Sequence, residues 1–535
     1  MLFNPKLLCI FLFAFLVTLR ALSQSFTSSN LPLVVINTNG QLIYDDPKIY
    51  ADMGIIWNGL GKRNTLTDPQ NNYNGKIGIE IRGSSSQNFP KKSYGFETKT
   101  SALVDVDVSL LGMPEENDWV LYAPYTDKTM IRDVLTYTLD ASLGHWSPRC
   151  RYVELFLNGN YQGVYVLMEK IKRNKNRVDI AKLLTTDNSG ADLTGGYIIK
   201  IDKLTGGGGE GWYSDYYNAV GRTYYQYDYP KAKEITSTQK TYIQSCVRNM
   251  ERSLYQEKFT GTGSYHDFLN DSSFIDFMII NELAKNVDGY RLSSYLYKGK
   301  NDRLNCGPIW DFNLTYGNAD YYSGWLTTGF QYQAYLGNDN SQNPFWWSKL
   351  MCDPNYVKQL KRRWVLLRRK ELSYQRISFV IDSLTSVIAE AKDRNYQRWP
   401  ILGVRVWPNY YVGYSYDSEV SWMGNWINQR LTYLDQQWPY DFTGNDHLLA
   451  VGSHSIFPNP FTDRVTVRLG SNPVESVFVE LYSSGGKLIF KNLIQVDGNE
   501  LRLNFSESKL IPGIYLLRII QNGRALLTEK IVKTL

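Results

Sequence analysis

Over residues 449–535 apolar and polar side chains alternate. Val465, Val467 and Leu469 form one such run, Val477, Val479 and Leu481 the next, then Leu501, Leu503 and Phe505, then Tyr515, Leu517 and Ile519. A period of two with one apolar face predicts half-buried β-strands. Turn residues separate the runs at Ser484-Gly485-Gly486, Asp497-Gly498-Asn499, Pro512-Gly513 and Asn522-Gly523, so this segment is expected to form a small antiparallel β-sandwich. Residues 24–440 behave differently. Their first half holds strand-like runs at 32–37, 76–82, 153–157, 163–167 and 196–201; in the second half, 273–286, 355–370, 373–394 and 417–435 carry apolar positions at three- and four-residue steps, the spacing of helices. Asp353-Pro354 supplies a cap and a first-turn proline for the second of these. Strands followed by helices predict an α+β domain, with two lobes and a cleft between them.

At the other end, Lys6 precedes an apolar run of 13 residues, 7–19, and Arg20-Ala21-Leu22-Ser23 follows it. The run is shorter than the roughly 20 residues that span a bilayer, so residues 1–23 read as an export signal cleaved after Ser23. No later apolar stretch approaches that length, and no membrane span is expected after cleavage. The 43% hydrophobic and 21% charged content of the 535 residues fits a folded chain. Fifty-eight Lys and Arg against 52 Asp and Glu leave a net charge of +6 with no block of like charge, which excludes an electrostatic case for nucleic acid.

Metal and triad chemistry are thin. His145, His266, His447 and His454 show no HExxH or paired spacing, which argues against a zinc hydrolase and leaves few partners for a Ser-His-Asp triad. Cys150, Cys246, Cys306 and Cys352 lie far apart without a CxxC; two disulfides and four free thiols both remain open. The glycine run at 206–209 lacks a following Gly-Lys-Ser/Thr and reads as a surface loop. The 40 Tyr and 14 Trp suit wet interfaces and sugar-rich surroundings as well as cores. Those between 316 and 347 would line a partner groove or pack beneath long loops.

Phosphoryl transfer asks for a cation near the phosphates, acidic oxygens for a divalent metal, and one carboxylate to accept a hydroxyl proton. Three places supply those types. In Ile81-Arg82-Gly83-Ser84-Ser85-Ser86-Gln87-Asn88-Phe89-Pro90-Lys91-Lys92 a strand runs into a Gly-Ser turn whose N–H groups and hydroxyls suit phosphate oxygens, with positive charge on Arg82, Lys91 and Lys92. Glu169 ends an apolar strand, where a carboxylate needs a partner, and Lys92 or Arg82 is the expected one. Asp288 and Asp311 lie 23 residues apart, and Tyr295-Leu296-Tyr297 with a turn at 301–305 predicts a hairpin that brings both into one cleft. Two acids alone equally suit a glycosidase.

Taken together, Arg82-Gly83-Ser84-Ser85 with Phe89-Pro90-Lys91-Lys92-Ser93-Tyr94, Leu110-Leu111-Gly112-Met113 with Asp118-Trp119-Val120-Leu121, Gly163-Val164-Tyr165 with Glu169, Asn286 with Asp288, and Pro308 with Trp310-Asp311-Phe312 resemble the CotH family. These are spore-coat and secreted proteins with an atypical kinase fold, and the resemblance spans most of residues 32–370. It implies a two-lobed kinase-like domain over 24–440, ATP with Mg²⁺ or Mn²⁺, and phosphorylation of Ser or Thr on secreted or surface proteins. Asp288 would be the catalytic base and Asp311 a metal ligand. Lys92, with Lys91 as its rival, would bind phosphate beside Glu169, and Arg82, Ser84 and Ser85 would join the nucleotide site. The opening Pro458-Asn459-Pro460-Phe461, the strand Gly513-Ile514-Tyr515 and the ending Lys530-Ile531-Val532-Lys533 resemble the type A sorting domain of the type IX secretion system, which implies that machinery as a partner and a place in the medium or on the outer cell surface.

Two departures from the CotH pattern bear on activity. Ser293 stands five residues after Asp288, where kinases commonly offer Asn to a second metal, and Asn313 stands where many family members carry Asp. A hydroxyl and an amide carbonyl still bind Mg²⁺, each as a weaker ligand. The alternative is therefore a surface protein acting in adhesion or polysaccharide and protein binding, with the fold and without the catalysis. Deleting residues 449–535 is expected to trap the protein in the periplasm, as read by fractionation; normal release of the truncated chain would contradict the sorting assignment.

Overall fold

The computed structural model describes residues 26–204, 209–218, 220–441, 455–468, 476–483, 487–496, 500–506, 510–521 and 524–534. The expected export signal at 1–23, most of the glycine run, and the turns at 484–486, 497–499 and 522–523 lie outside the described residues. The chain divides into two compact units, Met1–Trp438 and Pro439–Leu535. Helices and sheets mix throughout the first unit, and the second is built of antiparallel sheets, as α+β requires.

The first unit opens with strands β1 (Leu33–Asn37), β2 (Ile49–Ile56), β3 (Tyr73–Arg82), β4 (Ser93–Lys99) and β5 (Asp118–Tyr122), then helix α1 (Arg132–Ser142), then β6 (Cys150–Leu157) and β7 (Asn160–Glu169). Their order β1-β2-β3-β4-β5-β7-β6 closes into a barrel through the parallel β1–β6 pair. Alternation decides what each face sees. In β3, β4, β5 and β7, Ile77, Ile79, Phe96, Trp119, Leu121, Tyr165 and Leu167 fill the barrel. The intervening Val120, Val164, Val166 and Met168 face outward into a second, larger core. A strand buried on both faces reads as a near-continuous apolar run, which is how 163–167 appears in the sequence.

After the short α2 (Gly190–Leu193) come β8 (Tyr197–Ile201), β9 (Gly211–Tyr217), β10 (Arg222–Tyr229), helices α3 (Ser237–Tyr255) and α4 (Asp271–Ala284), β11 (Ser294–Lys298) and β12 (Leu304–Cys306). The strands form one sheet in the order β12-β11-β8-β10-β9. The remaining helices are α5 (Trp346–Leu350), α6 (Pro354–Arg368), α7 (Tyr374–Val387), α8 (Ala391–Arg398) and α9 (Tyr416–Gln437). Helix α6 starts as its sequence predicts, with Asp353 accepting from Asn355 N at 2.9 Å. The single helix expected over 373–394 is instead α7 and α8. The break lets α8 turn onto β7, where Asn395 Oδ1 accepts from Val164 N at 3.1 Å. Helices also interleave with strands earlier than the pattern implied, at α1 and at α3. The latter carries a capping box between Thr236 and Gln239. The four cysteines are free thiols. Of the aromatic run, Tyr316, Trp346 and Trp347 are core.

Helix α4 is apolar nearly all round and buried over most of its length. Its most deeply buried acid, Glu282, meets Arg430 of α9 at 3.0 Å, with neither side chain exposed. Glu282 also accepts from Gln331 N and Tyr332 N at 2.9 Å and from the Tyr290 hydroxyl at 3.0 Å. Arg430 donates further to Glu282 O, Thr327 O and Gly329 O.

In the second unit, β13 (Ser455–Phe457), β14 (Arg464–Arg468) and β17 (Glu500–Asn504) form one sheet. Strands β15 (Ser476–Ser483), β16 (Leu488–Gln495), β18 (Gly513–Gln521) and β19 (Arg524–Lys533) form another, and the two share a core of the alternating residues. Arg430→Met is expected to lower the unfolding free energy in urea by about 3–5 kcal/mol, because it strands Glu282 as a buried charge. Adding Glu282→Gln should recover part of the loss, and a loss below 1 kcal/mol for the single variant would contradict the role given to the pair.

Candidate active site

A cavity of about 1020 Å³ lies between the outer face of the barrel and the second sheet. The period of two explains its barrel wall: Glu80 and Arg82 of β3, Ser93 and Gly95 of β4, Asp118, Val120 and Tyr122 of β5 and Met168 of β7 all project outward and line it. Register sets Glu80, Gly95, Val120 and Met168 side by side across four strands. Lys200 and Asp202 at the end of β8, Lys203 beyond it, and Tyr295 of β11 line the opposite wall.

Asp288 and Asp311 both line this cavity, on either side of the β11–β12 hairpin. Asn286 ties their loops together: its Nδ2 donates to Asp311 O at 3.3 Å, and its Oδ1 accepts from Asp288 N at 3.1 Å. Asp311 sits at φ 65° with its side chain open to the cavity's solvent. Enclosing walls, then the charges of Asp288 and Asp202, push its carboxyl up to about 6, with Arg82 and Lys203 opposing the shift. Arg291, three residues after Asp288, holds it at 2.6 Å and reaches Asp339 at 2.8 Å. Asn313 donates through Nδ2 to Thr126 Oγ1 at 3.0 Å, and no hydrogen bond among the described residues uses its Oδ1. Ser293 lines the cavity at φ 48°.

The Gly-Ser turn also lines the cavity from Gly83 to Ser86, with Gly83 at φ 109°, a conformation other residues rarely take. Arg82 stands 5.4 Å from the Trp310 ring centre, beside Asp311. The two lysines of the motif go elsewhere. Lys91 is buried outside the cavity and donates to Val164 O at 2.6 Å and Asn395 Oδ1 at 2.8 Å, over the Tyr165 ring. With no carboxylate beside it, burial pushes its amine well below the ordinary lysine value. Lys92 donates to Gln87 O at 2.5 Å, and Gln87 Nε2 donates to Gly83 O, so Lys92 braces the turn from behind. The expected partnership of Glu169 with Lys92 or Arg82 is not formed. Glu169 is fully buried and takes Arg149 through two side-chain bonds of 2.9 Å, with Arg177 at 3.7 Å. Guanidinium groups close along the chain, Arg149 20 residues before and Arg177 beyond the strand, take the place given to the motif's cations.

Sequence reasoning passed over Arg291, Asp202 and, most of all, Asp133. Asp133 is 5% exposed in the first turn of α1 and lines the cavity. Its Oδ1 accepts from Phe312 N at 2.7 Å and from the Tyr137 hydroxyl, which in turn accepts from Asp311 N at 3.2 Å. Burial first, then Asp311 and Asp127, push its carboxyl up to about 7. The Arg132-Asp133 pair that opens the helix was the available signal.

The family model for CotH kinase protein matches residues 79–434, most of the chain, and the protein belongs to the CotH kinase family. The model for a secretion system C-terminal sorting domain matches residues 455–534. No curated protein matches the chain. The sorting domain is that of the type IX secretion machinery and directs the protein to secretion and attachment at the outer cell surface. No helix among the described residues is long and apolar enough to cross a membrane.

The raised Asp133 pKa has a definite pH signature. The native state keeps the proton up to about pH 7, whereas an unfolded Asp loses it near 4, so ionisation withdraws stability as pH rises between those values. Asp133→Asn should match wild type in urea just below pH 4, exceed it increasingly toward pH 7, and level off above that. A constant difference would contradict the assignment.

Proposed function

We propose that the protein is a secreted atypical protein kinase that transfers the γ-phosphate of ATP to Ser or Thr of extracytoplasmic proteins. The barrel with its Gly-Ser turn acts as one lobe, and the second sheet with helices α3 to α9 as the other. One observation carries this reading: Asp288 and Asp311, on loops tied by a single asparagine, share a cavity with Arg82 and the Gly-Ser turn. Gly95, Val120 and Met168 offer a flat, apolar stretch for a planar base. Arg82, Lys200 and Lys203 take over the phosphate contacts that the sequence had assigned to Lys91 and Lys92, and Ser84 and Ser85 add hydroxyls.

Among the described residues no three His, Cys, Asp or Glu side chains gather as a metal cage. That donor set fits a Mg²⁺ or Mn²⁺ ion that shares its shell with phosphate oxygens and water. Asp311 and Asn313 Oδ1 would hold it, with Ser293 nearby, and when bound it neutralises charge on the phosphoryl group. Asp288 accepts the proton of the acceptor hydroxyl as that oxygen bonds to the γ-phosphorus and the bond from that phosphorus to the β-phosphate oxygen breaks, with ADP as the leaving group. Arg291 fixes the orientation of Asp288 and is itself fixed by Asp339. A second reading, an inactive adhesion protein, draws on Asn313 in place of Asp and on Asp288 being held in an ion pair.

Purified mature protein incubated with labelled ATP, Mg²⁺ or Mn²⁺ and a secreted-protein extract tests the choice. Transfer is expected, Asp288→Asn should lose roughly 10²–10⁴-fold in rate, and the metal-dependent rise in melting temperature with ATP should survive it. Asp311→Asn should lose both. Absence of transfer by wild type would favour the adhesion reading; equal transfer by Asp288→Asn would remove Asp288 as the base.

A further inference from the structure

Asp133 carries more oxygen than its structural task needs. The loop that presents Asp311 is anchored through Asp133 Oδ1 alone, directly to Phe312 N and through Tyr137 to Asp311 N. An asparagine would supply the same acceptor without a buried charge. The second oxygen, Oδ2, is buried and has no hydrogen-bond partner, and the same holds for the hydroxyl of Tyr122. The Tyr122 hydroxyl lies beside Asp133 with no hydrogen bond of ordinary length between them; burial first, then the charge of Asp133, raises its pKa, and both residues line the cavity that contains Asp311. Leaving a buried carboxylate oxygen unmatched is unfavourable, and Asp311 and Asp127 add repulsion as neighbouring like charges. The sequence thus keeps an acid where packing favours an amide.

We propose that Asp133 is the outer-shell anchor of the cation site: Oδ1 fixes the Asp311–Asn313 loop, and Oδ2 accepts a hydrogen bond from a water bound to the cation. The inference rests on Asp311 as the metal ligand. Water on a divalent cation is a strong donor, and partners of this outer kind orient ligands and raise affinity without touching the metal. Direct ligation is not required, in keeping with the absence of a three-acid cage among the described residues. Asp133 is therefore a positioning residue.

Mn²⁺ alone, titrated into the full chain without nucleotide and followed by electron paramagnetic resonance, tests this apart from catalysis. Asp133→Asn keeps the Oδ1 acceptor and exchanges Oδ2 for a donor. It should weaken Mn²⁺ binding about 10- to 100-fold while the metal-free melting temperature stays level or rises. Asp133→Ala, which removes the anchor too, should lower both. Unchanged Mn²⁺ affinity in Asp133→Asn, with Asp311→Asn weakened, overturns the inference and leaves the metal assignment standing. Affinity unchanged in both variants, or no Mn²⁺ binding by wild type, overturns the two together. A misfolded Asp133→Asn would also overturn it, since the variant retains the acceptor on which the argument depends.

Discussion

The buried pair of Glu282 and Arg430 is the constraint on which the geometry of the site depends. Each charge is wholly removed from water, a situation tolerated only when every lone pair and proton finds a partner. Meeting that demand draws in the Tyr290 hydroxyl, the backbone of 331–332 and the carbonyls of 327 and 329. Helix α9, the end of α4 and the loop between β12 and α5 become one rigid body. Two residues later α4 ends at Ala284, capped by Lys285 at φ 47°, and the chain leaves along Asn286 to Asp288. Tyr316 N donates back to Ala284 O at 2.8 Å, so the segment after Asp311 leaves from the same point.

A second buried pair serves the facing side. Arg132 and Asp127 meet at 2.5 Å with both side chains shielded, and Arg132 Nε donates to Thr315 O at 3.0 Å. With Asp133 bound to Phe312 N, two successive residues of α1 grip the Asp311 loop at both ends. The cavity itself then collects the acids Asp133, Asp202, Asp288 and Asp311 together with the cations Arg82, Lys200 and Lys203. The two scaffold pairs are neutralised and dry, whereas Asp133 and Asp311 meet in the cavity as like charges. Stability is sacrificed at the site and recovered behind it, the usual distribution for a functional centre.

Much of this was legible from local pattern. The sandwich strands, the barrel strands with apolar runs, and the hairpin between Asp288 and Asp311 all follow from alternation and turn residues within a few positions. The cavity-facing position of Arg82 follows equally from its place in β3. What escaped depends on distance along the chain. Lys91 reads as a phosphate-binding lysine until Asn395, 304 residues away, claims it. The partner of Asp133 lies 179 residues on, whereas Arg149, only 20 residues from Glu169, was a nearby partner that was passed over. The strands β9 and β10, dense in tyrosine, and the capped helix α3 carried local signals of aromatic strand preference and a capping box that were passed over.

The central claim is that one cavity, bounded by the outer face of β3, β4, β5 and β7 and by the Asp288 and Asp311 loops, holds both nucleotide and cation. A crystal structure of the first unit within the full chain, grown with ADP and Mn²⁺ and read with anomalous scattering from manganese, tests it most directly. The account predicts a manganese peak against Asp311 and Asn313, phosphates toward Arg82 and the Gly-Ser turn, and the base over Gly95 and Val120. Manganese or nucleotide bound elsewhere, with this cavity holding solvent alone, would contradict it.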